Sequence, residues 1–443
     1  MKIQYKGLLI SDTCIPGEGK SEGITPEISS CIQVSKDKWL ILFGTSDPRG
    51  HDTSRSIFYQ IRKNGPDGEV IKEDLVEKAR SGWDPHGLGH NLWKVNALPK
   101  VFGVPKGALR NGKPIPSANH FVAKWFVRAG MEKNGLLVNP WHPDEWPSDI
   151  KIMDYDTSCQ SLEWMQFRLN DAEDDIEIIS STKQLRQKGY ENSLALSSIP
   201  PSESKDGTWV RMHHAFGDVA SYNEDCSEWI EICQFEDKLA AVRYTFNQNS
   251  GLYEWTETGK AHQRAGMDWS EASINKIDKD WIISVRAYNK EGQTVWYKTS
   301  DPFESFGDNT DIKCTYSPRI SYVCADRILR LFSNGEGLPS KRYSRNPLYC
   351  LDVDPTDFSY SNKQLVLDCC KEGLPFYIPF ADHAMLYPYA GGRKQIVSFR
   401  VITHKQTCRQ ADDPEVTAEE LKQSGVHYAE LIYDQEYPLP WNF

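Results

Sequence analysis

Apolar residues fall along this chain in runs that come in pairs. Five segments share one plan, in which a polar or small start leads into an apolar run, a tight turn and a second apolar run. They begin at Thr25 (TPEISSCIQVSKDKWLILFGT), Cys226 (CSEWIEICQFEDKLAAVRYT), Trp269 (WSEASINKIDKDWIISVRAY), Tyr316 (YSPRISYVCADRILRLFSNG) and Ala381 (ADHAMLYPYAGGRKQIVSFRV). β-Branched and aromatic residues fill the runs. Turn residues such as Lys36-Asp37-Lys38, Asp278-Lys279-Asp280 and Gly391-Gly392 mark most midpoints, so each segment reads as an apolar β-hairpin. A repeated hairpin that cannot bury its faces alone must stack on its neighbours. The pattern predicts an all-β fold: a β-propeller of four-stranded blades, six in number, with five or seven left open.

Outer strands follow two of the hairpins, at Gln293 to Thr299 and Pro347 to Val353. The stretch between Glu27 and Glu228 is less regular and has room for one or two further blades. Residues 80–117, rich in Gly, Pro, His and Asn from Trp83 onward, read as a long loop insertion. Ala118 to Ala129 reads as a buried strand, Pro140 to Pro147 as an aromatic loop, and 417–424 as a short helix near the C-terminus. Residues 1–443 are expected to form a single domain, with Leu8-Leu9-Ile10 and Tyr428 to Tyr433 as candidates for closing the ring.

Composition narrows the partners. A formal charge of −11 opposes binding to a nucleic-acid backbone. No run of eighteen apolar residues exists to span a bilayer, and no secretory leader precedes Ser11, so a cytoplasmic location is expected unless the chain has been trimmed. The cysteines number eleven, an odd count without a CxxC pair, and read as reduced thiols. No HExxH, P-loop or dinucleotide fingerprint occurs, so neither a metal nor an organic cofactor is expected, with a structural Ca²⁺ left open. Aromatics make up 12% of the chain, suiting both sheet packing and stacking on sugar rings.

In a propeller the innermost strand of each blade starts near the central axis, so the first ionisable residue of each repeat should face a common pocket. The aligned hairpins put Glu27, Glu228, Glu271, Arg319 and His383 there. Two outer strands run into the similar turns Thr299 to Phe306 and Asp352 to Phe358, in which an Asp side chain can bond backbone N–H groups.

These turns resemble a degraded Asp-box (BNR repeat), and the chain resembles a divergent member of the sialidase-like propeller superfamily over about Thr25 to Thr403. In that family a Glu opens one inner strand and an Arg ends the same hairpin, an arrangement matched by Glu271 and Arg286. The resemblance makes Arg345 a substrate arginine and Asp52 the general acid. Glu27 stands where the family has its first carboxylate-binding Arg, and His383 where it has its Tyr nucleophile. Sialic acid is therefore not the expected substrate. An exo-acting glycoside hydrolase cleaving an acidic or heavily hydroxylated glycan is expected, with Asp52, Glu271, His383 and Glu228 as catalytic candidates. Glu27, Arg286, Arg319, Arg345 and His120 would bind substrate. Two alternatives stand beside it: a polysaccharide lyase that uses a His or Tyr base on uronic-acid glycans, and a non-catalytic sugar-binding propeller.

Overall fold

The computed structural model describes residues 1–47, 53–83, 92–133, 136–138, 161–185, 187–188, 213–214, 217–235, 238–262, 269–287, 293–307, 309–313, 320–334, 345–403 and 414–443. These residues form six antiparallel sheets arranged as a six-bladed β-propeller, a nearly all-β structure with 61% of residues in strands.

Blade 1 runs from its inner to its outer strand as Thr25–Ser35, Lys38–Ser46, Ser54–Lys63 and Glu69–Glu77. Burial explains why its first strands read as unbroken apolar runs. A blade is packed on both faces, so every residue of Thr25–Ser35 is buried, whereas Glu69–Glu77 at the rim has none fully buried. Blade 2 comprises Leu92–Val104, His120–Lys133, Ser161–Leu169 and Ile176–Gln184, with Arg80–Trp83 paired to the start of its inner strand. The long insertion expected over 80–117 is therefore corrected. It contains that inner strand, whose Val95, Ala97, Val101 and Phe102 are buried despite the neighbouring Gly, Pro and Asn.

Blade 3 has a broken inner strand, His213–His214 and Ala220–Ser221, followed by Glu228–Phe235, Lys238–Asn247 and Leu252–Thr258. The hairpin beginning at Cys226 is thus the second and third strands of its blade, not the first and second. Blade 4 comprises Trp269–Ile277, Asp280–Ala287, Gln293–Thr299 and Asn309–Lys313. Blade 5 comprises Ile320–Val323, Leu329–Asn334, Leu348–Val353 and Tyr360–Leu367.

Blade 6 draws on both ends of the chain. Pro379–Leu386, Lys394–Thr403 and Gly425–Ile432 are completed by Lys2–Ile10, which pairs antiparallel with Gly425–Ile432 from Lys2↔Ile432 to Ile10↔Val426. The two segments expected to close the ring close it on each other, so the outer strand of the last blade is also the first strand of the chain. A short helix, α1 (Ala418–Gln423), precedes Gly425 and starts in a capping box in which Thr417 and Glu420 bond each other's backbone N–H.

Apolar clusters fill the spaces between adjacent blades. Phe102 and Phe126 of blade 2 meet Trp229 and Tyr244 of blade 3, and Trp296 of blade 4 stacks on Phe358 of blade 5 at 5.4 Å. Phe358 belongs to one of the two Asp-containing turns. There the Asp354 carboxylate accepts from the Thr356 N–H at 2.7 Å, as Asp301 accepts from Phe303 at 3.0 Å.

Candidate functional site

Because the strands of each blade alternate in direction, the starts of all inner strands and the ends of all second strands share one face, here called the upper face. Three inner strands lose register there. The bulges fall between Pro26 and Ser29 in blade 1, Trp269 and Ala272 in blade 4, and Asp382 and Met385 in blade 6. A bulge leaves a residue without a ladder partner and re-aims its side chain. Glu27 and Glu271 fall in the first two bulges and His383 in the third, directly after Asp382, which keeps its ladder partner.

Glu271 is buried, and both its carboxylate oxygens accept from Arg286 Nη1, at 2.9 and 2.7 Å. The hairpin positions fifteen apart in sequence thus meet as an ion pair. Around Asp382 a larger network joins three blades. Arg400, its register partner, donates from Nε to Oδ1 at 2.9 Å and from Nη2 to Oδ2 at 3.0 Å. The Nη1 of Arg400 reaches Glu27 Oε2 of blade 1 at 3.2 Å, and Glu27 Oε1 accepts from the Ser54 hydroxyl at 3.2 Å.

Arg345, from blade 5, also bonds Asp382 Oδ2 through Nη1. Its backbone fixes this approach. The Arg345 N–H donates to Pro379 O at 3.2 Å, its carbonyl accepts from Ala381 N at 3.0 Å, and the Asn334 side chain donates to the same carbonyl at 2.7 Å. Burial alone would raise the pKa of Asp382, yet Arg400, then His383 and Arg345, hold it well below the ordinary carboxylate value. His383 has a left-handed backbone, φ 53°, and its Nδ1 lies 2.8 Å from Asp382 Oδ1. Burial outweighs that carboxylate and lowers the His383 pKa, so its imidazole is neutral at neutral pH.

One layer below lies a further ion pair. Lys100, on the inner strand of blade 2, is fully buried, and its Nζ lies 3.8 Å from Asp218 Oδ1 on the chain between the two inner segments of blade 3. The Asp218 side chain keeps 34% of its surface exposed. The level is set by neighbours. The Gly217 N–H donates to Ala272 O, next to Glu271, at 3.2 Å, and Lys100 Nζ lies 4.0 Å from Met385 Sδ, two residues past His383. Burial lowers the Lys100 pKa to about 8 and raises that of Asp218, each partly offset by the other.

Of the residues expected from sequence, Glu27, Glu271, Arg286, Arg345 and His383 lie at the upper face. Asp52 and Arg319 lie outside the described residues. Two expectations are corrected. Glu228 starts a second strand on the opposite face, where it pairs with Arg243 at 3.6 Å, because the inner strand of its blade precedes it. His120 also begins a second strand on that face, with Nδ1 at 3.0 Å from Ala118 O and its ring against Phe246 at 4.9 Å. Asp382, Arg400, Lys100 and Asp218 were not anticipated. Their signal is a charged residue inside an apolar strand, as in SFRVI, ALPKVF and AFGDVA. Among the described residues no three His, Cys, Asp or Glu side chains are grouped so as to hold a metal ion.

The six-bladed architecture is similar to that of solved sialidases and of a protein of unknown function. A protein of unknown function from Dyadobacter fermentans superposes with a TM-score of 0.54 at 9% identity, covering 92% of this chain and 94% of that one. Trypanosoma rangeli sialidase, solved in complex with sialic acid, gives 0.53 at 9% identity over 93% of this chain and 54% of its own. A Hadza microbial sialidase gives 0.50 at 11% identity, with coverages of 94% and 66%. The chain thus spans about half the length of the trypanosomal enzyme. No protein-family model and no curated protein sequence matches it.

Proposed function

We propose that the chain is an exo-acting glycoside hydrolase of the sialidase-like class, working at the upper face on a glycan. The observation that carries this reading is Glu271: a buried carboxylate in a bulge, with both oxygens fixed by Arg286, at the opening of an inner strand. A carboxylate held in one orientation is what a general base needs, since water must be met at hydrogen-bond distance before it attacks the anomeric carbon. In this mechanism Glu271 takes the proton of the attacking water as the new C–O bond forms. The glycosidic C–O bond breaks, and Asp52 gives its proton to the leaving oxygen. His383, neutral and oriented through Nδ1 by Asp382, is a further proton acceptor at the upper face. That a fold neighbour was solved in complex with sialic acid supports a glycan as substrate, without making sialic acid the one used here.

The His383–Asp382 contact also supports a second reading, a lyase in which His383 removes the proton α to a uronate carboxylate. A lyase releases an unsaturated product that absorbs in the ultraviolet, whereas a hydrolase does not.

The test is Glu271→Gln. Turnover should fall on the order of 10²–10⁴-fold with sugar binding retained. Absence of turnover by the intact protein across a broad panel of glycosides would overturn the hydrolase reading.

A further inference from the structure

The break in the inner strand of blade 3 brings one carboxylate to the axis of the propeller. Between the pairs His214↔Cys233 and Ala220↔Ile230, the five positions 215–219 of that strand stand opposite the two positions 231–232 of its partner. This is a larger form of the bulges at Glu27, Glu271 and His383, and it frees Asp218 from the ladder. Around Asp218 lie Lys100 of blade 2, whose Nζ is 3.8 Å from Oδ1, and Tyr322 and Cys31 of blades 5 and 1, whose pKa values its charge helps to raise. The Tyr322 hydroxyl reaches Met385 Sδ of blade 6 at 3.3 Å, and Lys100 Nζ lies 4.0 Å from the same sulfur. Cys31, Lys100, Tyr322 and Met385 are all buried, so the axis is filled at this level.

Asp218 is the exception. Its side chain keeps 34% of its surface accessible, against 13% for Arg286 and 6% for Glu271. Oδ1 is buried on the side of Lys100 without a hydrogen bond, so the accessible surface belongs to the rest of the group, Oδ2 included. A carboxylate so placed calls for a donor. Glu271 is close by, because Asp218 and Glu271 each adjoin one end of the hydrogen bond from Gly217 N to Ala272 O.

We propose that Asp218 forms the floor of a blind upper-face pocket and accepts a hydrogen bond from a free hydroxyl of the terminal sugar. This rests on the glycoside-hydrolase reading of the site and deepens it, since it requires a terminal unit left uncapped at the position that points down the axis. An acceptor at the floor favours an O–H there and rejects an ether oxygen, which brings no donor. Beneath it the buried side chains of Lys100, Tyr322 and Met385 leave no room for a second sugar, which is a physical basis for exo action.

The intact chain is titrated with methyl glycosides of the common hexoses, followed by calorimetry or ligand-observed NMR, and the tightest binder is then replaced by its monodeoxy and mono-O-methyl derivatives. Removing or capping one particular hydroxyl should weaken binding about tenfold or more, the scale of a hydrogen bond to a charged group. In Asp218→Ala the same change should cost less than about twofold. That variant leaves Lys100 buried without this carboxylate, so Lys100→Met/Asp218→Ala, which removes both charges, is titrated beside it.

A penalty at that hydroxyl that persists at full size in either folded variant overturns the proposal, as does a parent series in which no single hydroxyl matters or no sugar binds. Coupling to Asp218 in a chain that hydrolyses no glycoside removes the hydrolase reading and leaves the contact standing. Hydrolysis that depends on Glu271 without any coupling to Asp218 does the reverse.

Discussion

Lys124 and Glu231 meet in a fully buried contact between blades 2 and 3, joined by the Tyr244 hydroxyl, which donates to Glu231 Oε1 at 2.6 Å. The other oxygen of Glu231 has no hydrogen-bond partner among the described residues. Burial, only partly opposed by Cys233, draws the Lys124 pKa down to about 7. Lys124 also faces Lys100 across the ladder, so each amine depends on its own carboxylate. A buried pair of this kind contributes little net stability while whole and costs much when halved. Lys124→Met should destabilise the protein by about 3–5 kcal/mol, and Lys124→Met/Glu231→Leu should recover most of that loss. Urea denaturation of the parent and the two variants measures both effects. The same residue-level logic explains why charges in apolar strands were the overlooked signal: a lone Lys or Arg in a buried run must have a partner, but its position in sequence does not say which.

At the level of elements, the blades owe their order to how closely inner strands approach. Gly217 carries the break in blade 3 past blade 4, and a Cβ placed on it would lie 2.4 Å from Ser273 Cβ and 2.7 Å from Ser273 Cα. Ser273 cannot yield easily, since its hydroxyl is shared with Ser284 at 2.7 Å and Ser321 at 3.0 Å. Gly217→Ala should cost about 1–3 kcal/mol by overpacking, read as a lower urea midpoint. It should also lower catalytic turnover, because Ala272 beside it follows Glu271. This segment shows where hairpin reading was sufficient and where it was not. Blades 1, 4 and 6 were legible because their inner strands are long apolar runs ending in tight turns. The inner strand of blade 3 is two short pieces around Gly217 and Asp218 and has no such run. The alignment therefore began one strand late and assigned Glu228 to the wrong face.

For the molecule as a whole, stability depends on closing the ring between Lys2–Ile10 and Gly425–Ile432. His427 sits in that seam, fully buried, with Nδ1 2.7 Å from the Tyr5 hydroxyl and Nε2 2.8 Å from Gln423 O. Its partners fix a neutral tautomer, Nε2–H donating to the carbonyl and Nδ1 accepting from the tyrosine. Burial lowers its pKa from 6.5 to about 4. Between those values the unfolded chain takes up a proton that the folded chain refuses, so the stability due to neutral His427 is complete above pH 6.5 and is lost as pH falls toward 4. The loss should amount to about 3 kcal/mol at the acid end. Chemical denaturation at several pH values should give His427→Gln a flatter stability profile than the parent over that window.

Local information determined the strands, the turns, the all-β class and most of the blade plan, because a blade packed on both faces must be written as continuous apolar runs punctuated by turn residues. It also placed Glu27, Glu271 and His383 at the openings of inner strands. Only the tertiary structure decided that Arg400 joins Glu27 to Asp382 across 373 residues of chain, that Lys100 and Asp218 meet beneath them, and that Glu228 and His120 lie on the far face. Ring closure brings together strand ends that no local pattern connects. Ionic partners in a low-dielectric interior are chosen by that closure and not by their spacing along the chain.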